Sequence, residues 1–270
     1  MLMGRRGRQI GLSLIELMIG IVVGSIVLGA VIAVYASTIR GSNAALRTAR
    51  LNQELRSTMD IMVREIRRAG FNGWNAAGTI VLSTDNAFAK RGVGGGQTDL
   101  RVLTNGTCIL FTYDLANWGV VDATEYVGFR ISNGAVQMRR QGTVTNNCND
   151  GSWETLTDPN AVTVTALTFS TEGSQCMDFT AGNGWKLNSA SPQPTIPACD
   201  AAVSAAAVTA NAGAVTVVRG AFALTAAGSQ LVDTREIHVT LSGTAAADTA
   251  IQATISQEVQ VRNDRIYNKP

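Results

Sequence analysis

The chain has 270 residues, of which 46% are hydrophobic and 16% charged, and its formal net charge is +2. This composition can build a hydrophobic core and excludes an intrinsically disordered chain. The charge is unevenly distributed, because residues 71–270 carry 12 basic and 16 acidic side chains. Such a net negative region disfavours nucleic acid as a direct ligand, since phosphate binding requires a basic surface.

The N-terminal segment combines a short basic stretch with a long apolar run. Three arginines lie within the first nine residues, and Leu17 to Ala36 are twenty uncharged, mostly apolar residues. Twenty helical residues span about 30 Å, the hydrocarbon thickness of a bilayer. By the positive-inside rule, the arginines lie in the cytoplasm and the chain after the apolar run lies across the inner membrane.

Two conventional interpretations of this segment leave one residue unexplained. A signal peptide cleaved at Val34-Tyr35-Ala36 would have a shorter apolar core of roughly 7–15 residues, whereas a plain transmembrane anchor fits the length. Neither accounts for Glu16, the only charged residue between Leu12 and Ile39. A carboxylate in hydrocarbon costs roughly 2.5–3.5 kcal/mol unless it is paired.

A third interpretation rests on residues 11–18, with the sequence GLSLIELM. This motif resembles the type III signal of type IV pilins and type II secretion pseudopilins, although the family usually has phenylalanine at the position of Leu12. The resemblance implies that a prepilin peptidase cuts between Gly11 and Leu12 and that Leu12 becomes the methylated N-terminus. The α-amine that is freed lies four residues from Glu16. In a filament, this carboxylate can compensate the amine of a neighbouring subunit.

The helical pattern continues beyond the apolar run. Apolar residues recur at three- and four-residue steps at Leu51, Leu55, Met59, Met62 and Ile66, and two glycines follow at 70 and 73. This periodicity predicts one helix from about residue 13 to residue 69, with two helices separated near Gly41 as the alternative. Seven arginines between residues 40 and 70 favour a solvated face with some contact to anionic lipid over a DNA-binding stripe.

The rest of the chain is predicted to be rich in β-strands. Asn105-Gly106 and Asn133-Gly134 each lie between two β-prone runs, which is typical of hairpins. Further strands are predicted at 162–169, 237–241 and 251–261. Alternation in the second of these places His238 on a polar face, where a surface residue is favoured over a metal ligand.

Other segments suggest loops and no catalytic site. Residues 92–96 (GVGGG) lack the lysine of a phosphate-binding loop, and residues 180–214 are rich in small residues and proline. We therefore expect a flexible loop and an irregular excursion. The sequence predicts no enzyme activity, no cofactor and no metal site.

Four cysteines lie in the β-rich part, at Cys108, Cys148, Cys176 and Cys199. None forms a CxxC pair and the chain has one histidine, which disfavours a zinc site of usual spacing. In an exported chain, two disulfides are expected, with four free thiols as the alternative. Three pairings are open; we favour Cys108–Cys148 and Cys176–Cys199 because they are neighbours in sequence.

Three later segments resemble PilW-type minor pilins, which are related to J-type pseudopilins of type II secretion. They are residues 62–71 (MVREIRRAGF), 153–158 (WETLTD) and 259–263 (VQVRN). The resemblance implies an α+β pilin-like fold, in which a long N-terminal helix, transmembrane in its first half, packs on an antiparallel β-sheet head with loop excursions. Four parts are expected: a leader (1–11), a transmembrane or filament-core half-helix (12–39), an amphipathic half-helix (40–70) and the head (71–270).

The same resemblance implies a function. It predicts a minor pilin that primes type IV pilus assembly and is incorporated in the pilus, in a tip complex. Implied partners are other minor pilins, the major pilin, the prepilin peptidase and the inner-membrane assembly machinery. The protein would lie in the inner membrane before assembly and on the cell surface in the pilus afterwards. A J-type pseudopilin and a tip adhesin or DNA-binding subunit are the alternatives.

Overall fold

The computed structural model describes residues 13–73, 86–90, 98–116, 119–171, 173–178, 186–189 and 230–268. Its first element is helix α1, which runs without interruption from Leu14 to Arg67. The single long helix expected from the periodicity is confirmed, and the alternative of two helices separated near Gly41 is wrong. The chain divides into two compact units, residues 1–47 and 48–270, and the division falls within α1.

The described part of the first unit is a helix with exposed apolar side chains. Large apolar residues from Leu14 to Ile39 leave between 43% and 77% of their surface uncovered. By length and composition, α1 can cross a membrane. A helix that is apolar around its whole circumference is suited to lipid or to packing among other helices, not to water.

In the second unit, α1 has one buried face. Leu51, Leu55, Met59, Met62 and Ile66 are each at most 3% exposed. Their spacing brings them onto one side of the helix, where they join a hydrophobic core with side chains from the β-sheets. The buried face predicted from the sequence is confirmed.

The strands described in the second unit pair antiparallel. They are β1 (Arg101–Leu103), β2 (Cys108–Thr112), β3 (Tyr126–Ser132), β4 (Ala135–Gln141), β5 (Ser152–Thr155), β6 (Val162–Ser170), β7 (Gln175–Asp178), β8 (Lys186–Ser189), β9 (Gln230–Thr234), β10 (Glu236–Ala245), β11 (Asp248–Gln260) and β12 (Arg265–Asn268). They form a five-stranded sheet in sequential order β1 to β5, a three-stranded sheet β11-β10-β6 and a four-stranded sheet β12-β9-β7-β8. Helix and antiparallel sheets together confirm the α+β class.

Both Asn-Gly pairs form the predicted turns. Asn133 and Gly134 have φ angles of 51° and 71°, the left-handed conformation that a two-residue turn between β3 and β4 requires. Asn105, at φ 53°, lies in the short 3-10 turn Thr104–Gly106 between β1 and β2. The three other predicted strands correspond to β6, β10 and β11.

One expectation about the irregular regions is wrong. Within 180–214, residues Lys186–Ser189 form strand β8 and pair antiparallel with β7. A short strand embedded in small residues and proline carries no alternation long enough to be recognised in the sequence. The other residues of 180–214 and the glycine-rich segment 92–96 lie outside the described residues.

The core of the second unit joins α1 to two sheets. Phe111 and Phe129 of the five-stranded sheet are fully buried, with ring centroids 6.3 Å apart. On the three-stranded sheet, a Cβ added at Gly243 would lie 3.3 Å from Cδ2 of Leu55. The helix therefore packs directly against β10, the central strand of that sheet.

The end of α1 is capped by residues from far along the chain. The Arg262 backbone N–H donates to the Arg67 carbonyl at 3.1 Å. The Asn263 side-chain amide donates to the carbonyls of Arg68 and Ala69 at 3.4 and 3.2 Å. These donors satisfy carbonyl groups that a helix end leaves without intrahelical partners.

Candidate functional site

Glu16 lies in the first turn of α1. The backbone N–H groups of Glu16 and Leu17 donate to the Ser13 carbonyl at 3.0 and 3.1 Å, which starts the helix. The Glu16 side chain is exposed among exposed apolar neighbours such as Leu14. Gly11 and Leu12, the expected cleavage pair, lie outside the described residues.

Other polar side chains in this part of the helix find partners within it. The Ser25 hydroxyl donates to the Ile21 carbonyl at 2.8 Å, and the Thr38 hydroxyl donates to the Val34 carbonyl at 3.0 Å. Both bonds span four residues and need no water, so these hydroxyls are compatible with a lipid or protein environment. Glu16 differs, because no basic residue occurs between positions 12 and 39 of the sequence.

Near the helix end, the second unit buries a carboxylate with a tyrosine. Glu65 accepts a hydrogen bond from the Tyr113 hydroxyl at 2.5 Å. Burial makes the largest contribution to raising the pKa of Tyr113, and this bond and the negative charge of Glu65 raise it further. The hydroxyl therefore stays protonated and acts as the donor. The Arg68 guanidinium lies 4.2 Å from the centre of the same ring and 3.6 Å from the Glu65 carboxylate. This trio joins the helix end to the strand region at Tyr113.

A second ion pair lies in the interior beneath the helix end. Arg235 Nη1 and Asp99 Oδ1 are 2.6 Å apart, and both side chains are at most 2% exposed. Arg235 also donates from Nη2 to the Asn263 carbonyl at 2.7 Å. The pair therefore ties the loop before β1 to the start of β10 and to the segment that caps α1.

A second buried cation lies in the five-stranded sheet. Arg139 is fully buried and donates to the carbonyls of Tyr126 and Val144 at 3.1 and 2.8 Å. Burial lowers the pKa of Arg139 to about 10, and nearby Asp150 opposes that effect, so the side chain stays charged near neutral pH. Asp150 accepts hydrogen bonds from Thr143 and lies 3.5 Å from the guanidinium.

The disulfide joins β2 of this sheet to a loop. Cys108 and Cys148 are bonded, with Cα atoms 6.5 Å apart and positions 40 apart in sequence. Arg130 fixes the same loop, because it donates to the Cys148 carbonyl at 2.7 Å and stacks 4.2 Å from the Trp153 ring. The predicted Cys108–Cys148 bond is therefore present. The side chain of Cys176 and all of Cys199 lie outside the described residues, so their pairing stays a prediction.

His238 lies on the polar face of β10, as the alternation predicted. Buried and partly exposed residues alternate along the whole strand. His238 is directly opposite Glu258 of β11 and two residues from Glu236. Its Nε2 atom is 3.3 Å from Glu236, and its Nδ1 atom is 3.6 Å from Glu258.

The sequence did not indicate which buried charges pair. Arg235 and Asp99 are 136 residues apart, and their bond depends on how the sheets pack around α1. Arg139 lies in β4 next to a second arginine, Arg140, and the sequence does not show which of the two is buried. Its neighbour Asp150 lies in a loop, and its role as counter-charge has no local signal in the sequence.

The fold and the N-terminal segment together define a class of protein. An apolar helix continues into an amphipathic stretch that packs on antiparallel sheets, and the helix follows a motif with a glutamate in its first turn. This combination is that of a type IV pilin-like protein.

Comparison with known protein families agrees with this class and identifies a family within it. The prokaryotic N-terminal methylation motif matches residues 6–32. The family described as prepilin peptidase-dependent protein B matches residues 44–261, which is more than half of the chain. The chain therefore belongs to the prepilin peptidase-dependent protein B family. No curated protein and no solved structure matches it.

These matches confirm the pilin-like assignment made from residues 11–18. They also agree with membrane anchoring through the apolar helix. The narrower PilW-type assignment stays a prediction, and so do the roles of Gly11, Leu12 and Glu16.

Proposed function

We propose that this protein is a minor pilin that primes type IV pilus assembly and is incorporated in the pilus, in a tip complex with other minor pilins. The observation that carries the proposal is the placement of Glu16 in the first turn of a helix that is otherwise apolar and exposed from Leu14 to Ile39. The family and motif matches support the general role. The subunit acts structurally and not as an enzyme.

Processing precedes assembly in this proposal. Prepilin peptidase removes residues 1–11 by cutting between Gly11 and Leu12, and the new N-terminus at Leu12 is methylated. Residues 12–39 hold the protein in the inner membrane and then enter the filament core. Residues 40–70 continue the helix onto the head, residues 71–270. The N-terminal arginines keep the leader in the cytoplasm, so the head lies in the periplasm.

The oxidising periplasm fits the disulfide of the head. The Cys108–Cys148 bond needs such a compartment to form and persist. We also propose that Cys176 and Cys199 form a second bond. Peptide mapping under non-reducing conditions should find no free thiol in the exported protein, and two free cysteines would contradict the second bond.

Glu16 acts in assembly by compensating charge. Cleavage frees a positive α-amine at residue 12, and Glu16 has no basic residue in its own apolar segment. An unpaired carboxylate in hydrocarbon costs roughly 2.5–3.5 kcal/mol. Pairing with the amine of a neighbouring subunit removes much of that cost and favours one axial register between two helices.

The test is a complementation strain that carries Glu16→Leu. We expect normal export, normal cleavage and a folded head, but reduced amounts of the subunit in sheared pili and fewer surface pili. The matched control is Ser25→Ala, which removes a polar group of the same helix that is already satisfied by the Ile21 carbonyl. Wild-type incorporation and piliation in the Glu16→Leu strain would contradict the proposed role of Glu16.

A second measurement separates the pilus from a secretion system. In the same strains, the export of secreted enzymes is measured beside the number of surface pili. A deletion of the gene that abolishes pili and leaves secretion intact supports the minor pilin. The opposite result would identify the protein as a J-type pseudopilin.

A further inference from the structure

We propose that Glu236, His238 and Glu258 form a binding site for a divalent transition-metal ion, with Zn²⁺ as the best-matched ion. This inference reverses the sequence-based expectation that His238 is only a surface residue and that the chain holds no metal. Imidazole and carboxylate groups together are ligands that suit Zn²⁺. The site lies on the partly exposed face of the three-stranded sheet.

The register of two strands brings the three side chains together. Glu236 and His238 are two residues apart on β10, so both point to the same face. Glu258 on β11 is the direct antiparallel partner of His238. One possible ligand atom from each of the three lies within 4.8 Å of the others. His238 is paired on both sides, by β11 and β6, and Glu236 is paired by β11, so the sheet holds the backbone that carries two of the ligands.

The distances suit coordination. With Zn–N and Zn–O bonds of about 2.0–2.2 Å, neighbouring ligand atoms of a tetrahedral site lie about 3.3–3.6 Å apart. Each glutamate lies within this range of a different ring nitrogen, with Glu236 3.3 Å from Nε2 and Glu258 3.6 Å from Nδ1 of His238. The ion binds only one nitrogen of the imidazole. The glutamate that contacts the other nitrogen therefore has to rotate its side chain to reach the same ion. Glu258 is free to make this movement, because its side chain is 69% exposed.

The two carboxylates beside the imidazole of His238 favour binding of a cation. A neutral imidazole has one N–H and one lone pair, yet a carboxylate oxygen lies near each of the two nitrogens of His238. One carboxylate therefore faces a lone pair, which is electrostatically unfavourable. A divalent ion bound to that nitrogen turns the repulsion into attraction, because both carboxylates and the lone pair then face a positive charge. A metal-free His238 that only contacts the two glutamates is the competing interpretation.

The carboxylate of Glu236 is positioned by a separate turn of the chain. The Ser174 hydroxyl contacts both the backbone N–H and the carbonyl of Glu236 at 3.0 Å. At Gly173, with φ +99°, an added Cβ would lie 2.9–3.1 Å from the carboxylate atoms of Glu236. A side chain at this position would displace the carboxylate, so the glycine leaves the space in which Glu236 stays beside His238.

The experiment titrates the full chain with Zn²⁺. The protein is purified in detergent without a polyhistidine tag and under non-reducing conditions, so that neither a tag nor free thiols bind the metal. Competition with a chromophoric chelator measures stoichiometry and affinity. We expect one Zn²⁺ per chain, and weakening of at least about tenfold in both His238→Ala and Glu258→Gln. The matched control is Glu154→Gln, an exposed glutamate of the five-stranded sheet, and it should bind like the wild type.

A second readout distinguishes a metal site from a merely structural histidine. Because the chain has one histidine, an imidazole-ligated signal from bound Co²⁺ in the visible spectrum can come only from His238. Saturating Zn²⁺ should also raise the Tm of the wild type and of Glu154→Gln, but not that of His238→Ala. Equal Zn²⁺ affinity in the wild type and His238→Ala would overturn the proposal, as would wild-type protein that binds no Zn²⁺. The second result would leave His238 as a surface residue that contacts two carboxylates without a metal.

Discussion

Helix α1 has two parts that differ in where their apolar side chains lie. Residues 14–39 expose apolar side chains around the whole helix and contain one charged residue, Glu16. Residues 48–67 bury one apolar face in the core of their own unit and expose charged residues elsewhere. One continuous helix therefore contains two kinds of surface. The first part needs lipid or other helices around it, whereas the apolar face of the second part is covered by the rest of its own unit.

The contrast also applies to buried and unpaired charge. Glu16 has no basic neighbour in its own apolar segment, whereas Asp99 and Arg235 meet in the interior at 2.6 Å. A charge whose counter-charge belongs to the same chain contributes to the stability of that chain. A charge in an apolar segment that lacks a counter-charge in its own chain can be compensated only by another molecule. Substitutions at the two kinds of site should therefore affect different measurements.

The largest effect is expected at the buried ion pair. Asp99→Asn removes the negative charge and leaves the Arg235 guanidinium buried without it, which should reduce the free energy of unfolding by about 3–5 kcal/mol. Chemical denaturation of the full chain in detergent, followed by near-ultraviolet circular dichroism, measures this change. The control is Glu154→Gln, which breaks the exposed pair with Arg140 and should cost less than about 1 kcal/mol. Equal losses in both variants would contradict the role given to burial.

A pair of leucine substitutions compares a buried and an exposed position of α1. Leu55→Ala removes a fully buried side chain from the core and should cost about 2–5 kcal/mol of unfolding free energy. Leu46→Ala makes the same chemical change where the side chain is 59% exposed and should change stability by no more than about 0.5 kcal/mol. Thermal unfolding of both variants under the same conditions checks the difference. If Leu46→Ala destabilises the protein as much as Leu55→Ala, the buried face of α1 does not contribute to stability as described.

The smallest effect on stability is expected from the pH-dependent charge of Asp150, in the second unit. Burial raises the pKa of Asp150, but hydrogen bonds from Thr143 and Val144 and the charge of Arg139 outweigh it and hold the pKa below its usual value. The ionised side chain therefore stabilises the folded state above the unfolded-state pKa of about 3.9. This contribution is lost as the pH falls through the lower folded-state pKa.

Asp150→Asn should therefore be less stable than the wild type near neutral pH, and the difference should shrink on acidification below about pH 4. Urea unfolding midpoints across this range measure it. A difference that stays constant with pH would show that the substitution acts through packing and not through the charge of Asp150.

Local patterns allowed much of the fold to be predicted. The spacing of Leu51, Leu55 and Met59 indicated both the helix and its buried face, because helical periodicity is visible within a few turns. Asn133-Gly134 indicated a hairpin because that turn requires left-handed backbone angles at both positions. These features depend on residues that are close in sequence.

Contacts between distant residues could not be predicted in the same way. Alternation placed His238 on a polar face, but only the register of β10 and β11 brings Glu258 opposite it. Likewise, no local pattern connects Asp99 with Arg235, since their bond depends on how loops and sheets close around the helix. The short strand β8 was missed because four residues within a segment of small side chains carry too little pattern.

The cap on α1 has a consequence for the order in which the chain can fold. The helix is synthesised first, yet Asn263, which bonds the carbonyls of the turn directly after it, is 194 and 195 residues further on. Contacts of such long separation form late, because a large loop must close before they contribute. A nascent chain that stops before residue 263 therefore has a helix with an unfinished end, and chaperones or proteases that recognise incomplete folding have the whole period of synthesis in which to act.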